Sequence, residues 1–332
     1  MKLVILIVVL VTSMVVPVFA DWTVTNLYHG VNSSASGVSG NQQVGSISNI
    51  QDNSHAGLWN GSAGSWVDLN PAGYINSYAN DISGSQQVGR AHMDSYSHAG
   101  LWNGTADSWV DLHPDGASQS NAYGVYNGRQ AGSAKIGNYW HAGLWNGTAA
   151  SWIDINPAGY ISSVAFGIFD NQQVGWADKV VNSVNYSHVG IWSGTAGSWT
   201  DINPTGAIYS YAYNTTGDQQ VGTAYFGDNM HAPIWGWHAG IWSGTKGSWV
   251  DLNPAGSEYS EANGISGGLQ VGTSRVVTYF GGGVNPDVNN HASLWNGTAA
   301  SWEDLHLLLP TGVYSSSSAN DIYVSGATIN IV

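Results

Sequence analysis

An all-β fold, a β-propeller built of blades of about four short strands, is predicted by three observations on the 332-residue sequence. The segment His98-Ala99-Gly100-Leu101-Trp102, followed by Trp109 and Asp111, recurs in near-copies starting at His55, His141, His188, His238 and His291, with spacings of 43, 43, 47, 50 and 53 residues. A period of roughly 40 to 50 residues marks an array of small units, none of which buries its apolar face alone. Each unit divides into four short runs rich in β-branched and aromatic residues, with Gly, Asn, Ser or Pro between them. Finally, Trp22 to Leu27 aligns with the fourth run of a repeat, and Ser318 to Val332 aligns with the first two.

In the second repeat the strands are expected at 77–82, 86–91, 98–102 and 109–112. No window of residues 21–332 carries an apolar stripe at helical spacing, so no helix is expected there. The third and fourth strands form a hairpin around Asn103-Gly104, a dipeptide suited to positive φ. Alternation places His98, Gly100 and Trp102 on one face and Ala99 and Leu101 on the other. Trp102 and Trp109 flank the loop as cross-strand neighbours, and twelve of the 17 tryptophans occupy these two positions. That regularity marks them as framework.

The complementary ends predict a ring, because an open row of sheets leaves exposed edges. The expected architecture is seven blades. Six are complete, and the last is assembled from both termini but lacks its His-Ala-Gly-Leu-Trp strand. Six blades is the second choice and a β-helix the third.

Residues Met1 to Ala20 read as a secretory signal peptide outside the fold: Lys2, an apolar core over 3–11, then Val18 and Ala20 before the cut. Residues 21–332 form the propeller, with no further span of membrane length, and the expected location is extracellular. There is no cysteine, so packing replaces disulfides in an oxidising compartment. The formal charge is −14, with seven Lys and Arg against 21 Asp and Glu, which excludes a nucleic-acid or anionic-membrane surface.

With Asn80-Asp81-Ile82-Ser83-Gly84 and Gln87-Val88-Gly89 preceding His98 to Asp111, the sequence resembles the HAF family of extracellular repeats, over nearly all of residues 21–332. The family's aromatic third position is glycine at Gly57, Gly100, Gly143, Gly190 and Gly240, and serine at Ser293. The resemblance implies an exported, propeller-like protein and leaves activity open.

The histidines His55, His98, His141, His188, His238 and His291 and the aspartates Asp68, Asp111, Asp154, Asp201, Asp251 and Asp304 occur once per blade. Ligands to one metal lie within about 2.0–2.6 Å of it, whereas ring-equivalent positions are spread apart. They are therefore assigned as structural ties, and no metal or cofactor is expected. Asn-x-Ser/Thr triplets at Asn32, Asn60, Asn103, Asn146, Asn185, Asn214 and Asn296 fall partly on turns that backbone geometry already explains.

Function is sought where the repeat is broken. From the glycine of the Gln-Val-Gly segment to the next histidine the chain spans 9 to 10 residues in three repeats, then 13, 16 and 19. These longer connections should share one face, and they carry Tyr225, Phe226, Met230, Trp235, Trp237, Tyr279 and Phe280, with Trp176 on a preceding strand. Aromatics on loops over a rigid scaffold suit a sugar ring or a peptide. The bland reading is that they cover the protein's own apolar surface. The resulting expectation is a secreted binding or structural module for a glycan or extracellular protein. The alternative is a polysaccharide hydrolase or lyase using channel carboxylates, for which the sequence identifies no pair; Glu258 and Glu261 are off-pattern acids, but their spacing on a short strand is no signature. A third idea is a multivalent lectin with one site per blade, which requires exposed repeat tryptophans.

Overall fold

A computed structural model describes residues 5–10, 22–29, 32–48, 53–93, 95–227, 236–278 and 287–332. The described chain is all-β, with seven four-stranded antiparallel sheets and only short 3-10 turns. Six sheets are each one contiguous repeat, named here blades 1 to 6. Blade 2 contains Asn76–Ser83, Gln86–His92, Ser97–Trp102 and Val110–Asp111. Blade 1 starts at Asn32, blade 3 at Ala117, blade 4 at Ser162, blade 5 at Tyr209 and blade 6 at Ser260. In each, the first strand is innermost and the fourth, only two residues long, is outermost.

Each conserved-looking residue of the repeat has a specific job. The first tryptophan of each pair (Trp59, Trp102, Trp145, Trp192, Trp242 and Trp295) is fully buried against the preceding blade or sheet. The second leans on it, as in Trp102–Trp109, with centroids 4.6 Å apart. Its ring also covers the glycine two residues before the first tryptophan. A Cβ on Gly100 would sit 2.0 Å from the Trp109 ring, and one on Gly143 1.8 Å from Trp152. This is why an aromatic or even a methyl is absent there. At Ser293 the demand is met differently, since its Oγ accepts a 2.9 Å hydrogen bond from the Trp302 indole.

The glutamines are interior clamps. Gln87 is completely buried, and its carbonyl accepts the Gly104 N–H at 2.8 Å, tying the first hairpin to the second. The glycine two residues later faces a β-bulge, where a Cβ on Gly89 would lie 1.9 Å from the Tyr78 carbonyl oxygen. Each His meets its Asp across the third and fourth strands, Nδ1 to Oδ2, at 2.7–2.9 Å in all six blades. The other aspartate oxygen accepts the N–H two residues on, as at Asn70. Asn70 then accepts from Ser77 of blade 2, whose Oγ accepts the Ala56 N–H of blade 1. One polar chain therefore runs from the edge of one blade into the centre of the next.

The remaining sheet is composite, ordered Thr23–Asn26, Ile5–Leu10, Thr328–Ile331, Ile322–Ser325. It bonds to both flanking blades: Asn263 Nδ2 donates to Ala319 O at 3.0 Å, and Asn320 Nδ2 to Ala35 O at 2.7 Å. The sequence sets residues 1–20 outside the fold and leaves this sheet without a third strand. The backbone of Ile5–Leu10 fills that position instead. Six consecutive β-favouring aliphatic residues meet two strand edges that otherwise lack a partner.

Candidate functional site: an aromatic shelf across blades 4 to 6

On the inner strand of blade 5, Tyr209, Tyr211 and Tyr213 alternate and so share one face. Further aromatics meet them from regular strands: Trp176 on the second and Tyr186 on the third strand of blade 4, and Trp237, which the sequence places on a loop, on the third strand of blade 5. Trp176 meets Tyr211 edge-on, with centroids 6.0 Å apart and planes at 89°. Trp237 stacks with Tyr211 at 5.5 Å and 27°. Tyr186 stacks with Tyr209 at 6.4 Å, and Tyr209 also lies 6.5 Å from Trp237. These five residues are half-buried. Trp237 also bridges in parallel to Tyr259 at the start of blade 6.

Polar groups border this row. Ser187 donates to Asp178 at 2.5 Å on the blade 4 side. Burial raises the Asp178 carboxyl, with the Ser187 hydrogen bond opposing it. On the blade 6 side Tyr259 donates to Glu261 Oε2 at 2.6 Å. Tyr213 is pushed well above the usual phenol range, by burial first and then by the Glu261 charge. A carboxylate thus stands at each end of a run of π faces. The flat faces suit C–H groups of a sugar ring, and the flanking acceptors suit its hydroxyls.

Of the sequence-selected residues, Trp176 and Trp237 join through Tyr211. Tyr225 is 4% exposed and backs Trp237 at 5.3 Å, so it supports the shelf from behind. Phe226 lies apart, packed on His238 and Trp249 of the blade 5 framework. Trp235, Tyr279 and Phe280, with Met230, lie outside the described residues. Tyr186, Tyr209 and Tyr211 were missed because two of them sit on a regular inner strand. Aligning the repeats supplies the missing signal: the Tyr211 position holds Ser34, Tyr78, Asn121, Val164 and Glu261 elsewhere.

The same alignment exposes a second site, at the axis. The position after each inner-strand bulge is Gly37, Gly124, Gly167 or Gly264 in four blades, and Asp81, Asn214 or Asp321 in the others. Asn214 Nδ2 reaches Asp321 Oδ1 at 3.4 Å, skipping blade 6 and therefore crossing the axis. Asp321 Oδ2 accepts the Val38 N–H at 2.9 Å, and Asp81 Oδ2 accepts the Val125 N–H at 2.8 Å. Burial pushes Asp81 up to about 6. Asp321 is pushed up to about 8, by burial and then by the Asp81 charge.

The repeated His and Asp residues are engaged with one another blade by blade, and among the described residues no three His, Cys, Asp or Glu gather as a metal set. Full burial of the first tryptophan in each repeat removes it as a per-blade lectin surface.

No family model matches the chain, and no curated protein matches it. Solved structures do. The β-propeller domain of the Trilobed protease from Pyrococcus furiosus is similar over 82% of both chains, at 10% identity and a TM-score of 0.50. TolB from Acinetobacter baumannii aligns with 88% of this chain at 8% identity and a TM-score of 0.48, and the chain spans 63% of its length. The BP39L lectin from Burkholderia pseudomallei aligns over 79% of both chains, at 18% identity and a TM-score of 0.45. With its own sheets, the first of these likenesses defines the molecule as a β-propeller.

Proposed function

We propose that the protein is an exported β-propeller binding module, related to the HAF repeats, whose ligand lies on the shelf of Trp176, Tyr186, Tyr209, Tyr211 and Trp237. In this reading the composite sheet closes the ring as a seventh blade, and the ligand is a glycan. The observation that carries the reading is that Trp176 and Trp237, from different blades, both contact Tyr211. The grouping is particular to blades 4 and 5: the Tyr211 position holds Ser34, Tyr78, Asn121, Val164 and Glu261 elsewhere, and where a tyrosine recurs, at Tyr78, Arg90 rather than a tryptophan lies over its ring. The acidic surface directs the choice toward neutral rather than polyanionic glycans.

The enzyme reading draws no comparable support from the channel. The Asp81 and Asp321 carboxylates there accept main-chain N–H groups of neighbouring blades, which makes them ties. Titrating neutral oligosaccharides into the purified protein and its Tyr211→Ala and Trp237→Ala variants tests the proposal. Loss of one stacking face is expected to weaken binding about tenfold, the scale of 1.4 kcal/mol. Unchanged affinity in both variants overturns the shelf as the site.

A further inference from the structure

The composite sheet is built around a slot one strand wide, and its walls are anchored without help from the strand that fills it. On one side Thr328–Ile331 is paired to Ile322–Ser325 along four residues. Asn330 Nδ2 bonds to Gly40 O of blade 1 at 2.7 Å, and the Val324 N–H to Ser266 Oγ of blade 6 at 3.0 Å. On the other side Thr23–Asn26 pairs, among the described residues, with Ile5–Leu10 alone. Its place is nonetheless fixed at both ends by packing. Leu27 is fully buried among Ala35, Val38 and Val332, and Trp22 packs against Val271, Ala292, Leu305 and Ala319. The Asn26 side chain accepts the Tyr28 N–H, reproducing the Asp68–Asn70 corner of a complete blade. The two walls are therefore two strand spacings apart, roughly 9.5 Å, with main-chain groups facing inward.

Ile5–Leu10 occupies this slot in antiparallel register with both walls, Ile7 against Ile331 and Val24, and Val8 against Asn330 and Thr23. Yet these residues are the apolar core of the leader, and the export proposed above removes them. Their departure leaves two rows of unpaired N–H and C=O groups inside an otherwise finished ring, an arrangement that recruits strands from other chains.

We propose that the exported protein captures an extended aliphatic segment of a partner polypeptide in this slot, completing the sheet in trans. The segment's chemistry is set by the one that fits: about six residues, β-branched or leucine, uncharged and free of proline. Main-chain pairing to both walls supplies the affinity, and the aliphatic side chains supply the choice of segment. The six contiguous blades have no such vacancy, so each molecule takes one strand. The inference rests on export with removal of residues 1–20 and is independent of the glycan shelf.

The test begins with the full chain expressed in a secreting host. Intact mass of the protein from the medium reports whether residues 1–20 are gone. The probe is a synthetic peptide of Ile5–Leu10 flanked by lysines, and the control is the same peptide carrying Val8→Pro. The expected result is a processed protein whose Tm rises saturably with the peptide, with the proline peptide at least about tenfold weaker, because proline removes one ladder hydrogen bond and its ring does not fit a central strand. A processed protein whose Tm neither peptide moves overturns the proposal, as does an intact mass that still contains residues 1–20. Glycan titration of the same sample, with and without peptide, separates failure of the slot from failure of the shelf.

Discussion

Blades 2 and 5 are the same machine with different fittings. Both carry the tryptophan pair, the His–Asp tie and the buried glutamine clamp at matching distances, 4.6 against 4.5 Å for the rings and 2.8 against 2.7 Å for the tie. On the inner face of blade 2, Arg90 lies 4.6 Å over Tyr78 and donates to His92, a self-contained polar stack. On blade 5 the corresponding region is a row of aromatic faces shared with blades 4 and 6. The lesson is a separation of labour. The tryptophan pair, the His–Asp tie and the glutamine clamp hold one answer fixed for packing, while the inner strand and the adjoining ends of the second and third strands vary and therefore specialise.

The largest expected effect lies in the framework. Trp102→Ala removes a fully buried indole and should cost about 3–5 kcal/mol in chemical denaturation. Trp237→Ala, on the half-buried shelf, should cost less than half of that. Equal losses would erase the distinction between frame and fitting. Next comes Gly100→Ala, where the added methyl meets the Trp109 ring and should cost about 1–3 kcal/mol. Ser293→Gly, which restores the residue found in the other five blades, should cost under 1 kcal/mol, about the worth of its one hydrogen bond.

Two pH responses of opposite sign follow. Asp81 and Asp321 have folded pKa values raised above the unfolded one, so their contribution is complete below about pH 4 and fades as pH rises toward 8. Asp321→Asn should flatten that decline in a Tm-versus-pH series, and a parent curve with no decline over this window would refute the axial pair. The smallest effect is at His113, which stands where four blades use Asn. It stacks on His98 at 3.9 Å, with its ring nitrogens on Ser120 and Ala117. Burial and then the His98 charge lower its pKa, against the opposing pull of Asp111 and Asp115. Its stability contribution is present above the unfolded value near 6.5 and is lost as pH falls through the lowered folded value. His113→Asn should therefore improve Tm at acid pH while leaving it unchanged near pH 8.

Much of the frame was legible because it repeats. His98, Gly100, Trp102 and Asp111 recur at fixed spacing, and alternation alone assigns Trp102 and Leu101 to opposite faces. Even the departure of glycine from an aromatic is explained once the Trp109 ring is seen above it. The site was less legible for a physical reason. Tyr225 and Phe226 are as aromatic as Trp237, and only packing decides which rings back the shelf, which stand apart and which keep a free face. Asp81 and Asp321 are 240 residues apart in sequence and meet only because the ring closes. Ile5–Leu10 has one composition that serves equally for a leader and for a β-strand, so hydropathy cannot distinguish the two.

The most direct test of the account is a glycan-binding comparison of aromatic substitutions made on the same face of the ring. Trp237→Ala and Tyr211→Ala remove the shelf, whereas Tyr96→Ala, just before the third strand of blade 2, and Tyr139→Ala, at the start of the third strand of blade 3, remove exposed rings. The account predicts that the first two lose binding to a neutral oligosaccharide that the parent and the last two retain. Retention by the shelf variants, with loss at Tyr96 or Tyr139, would contradict it and move the site to the other side of the ring.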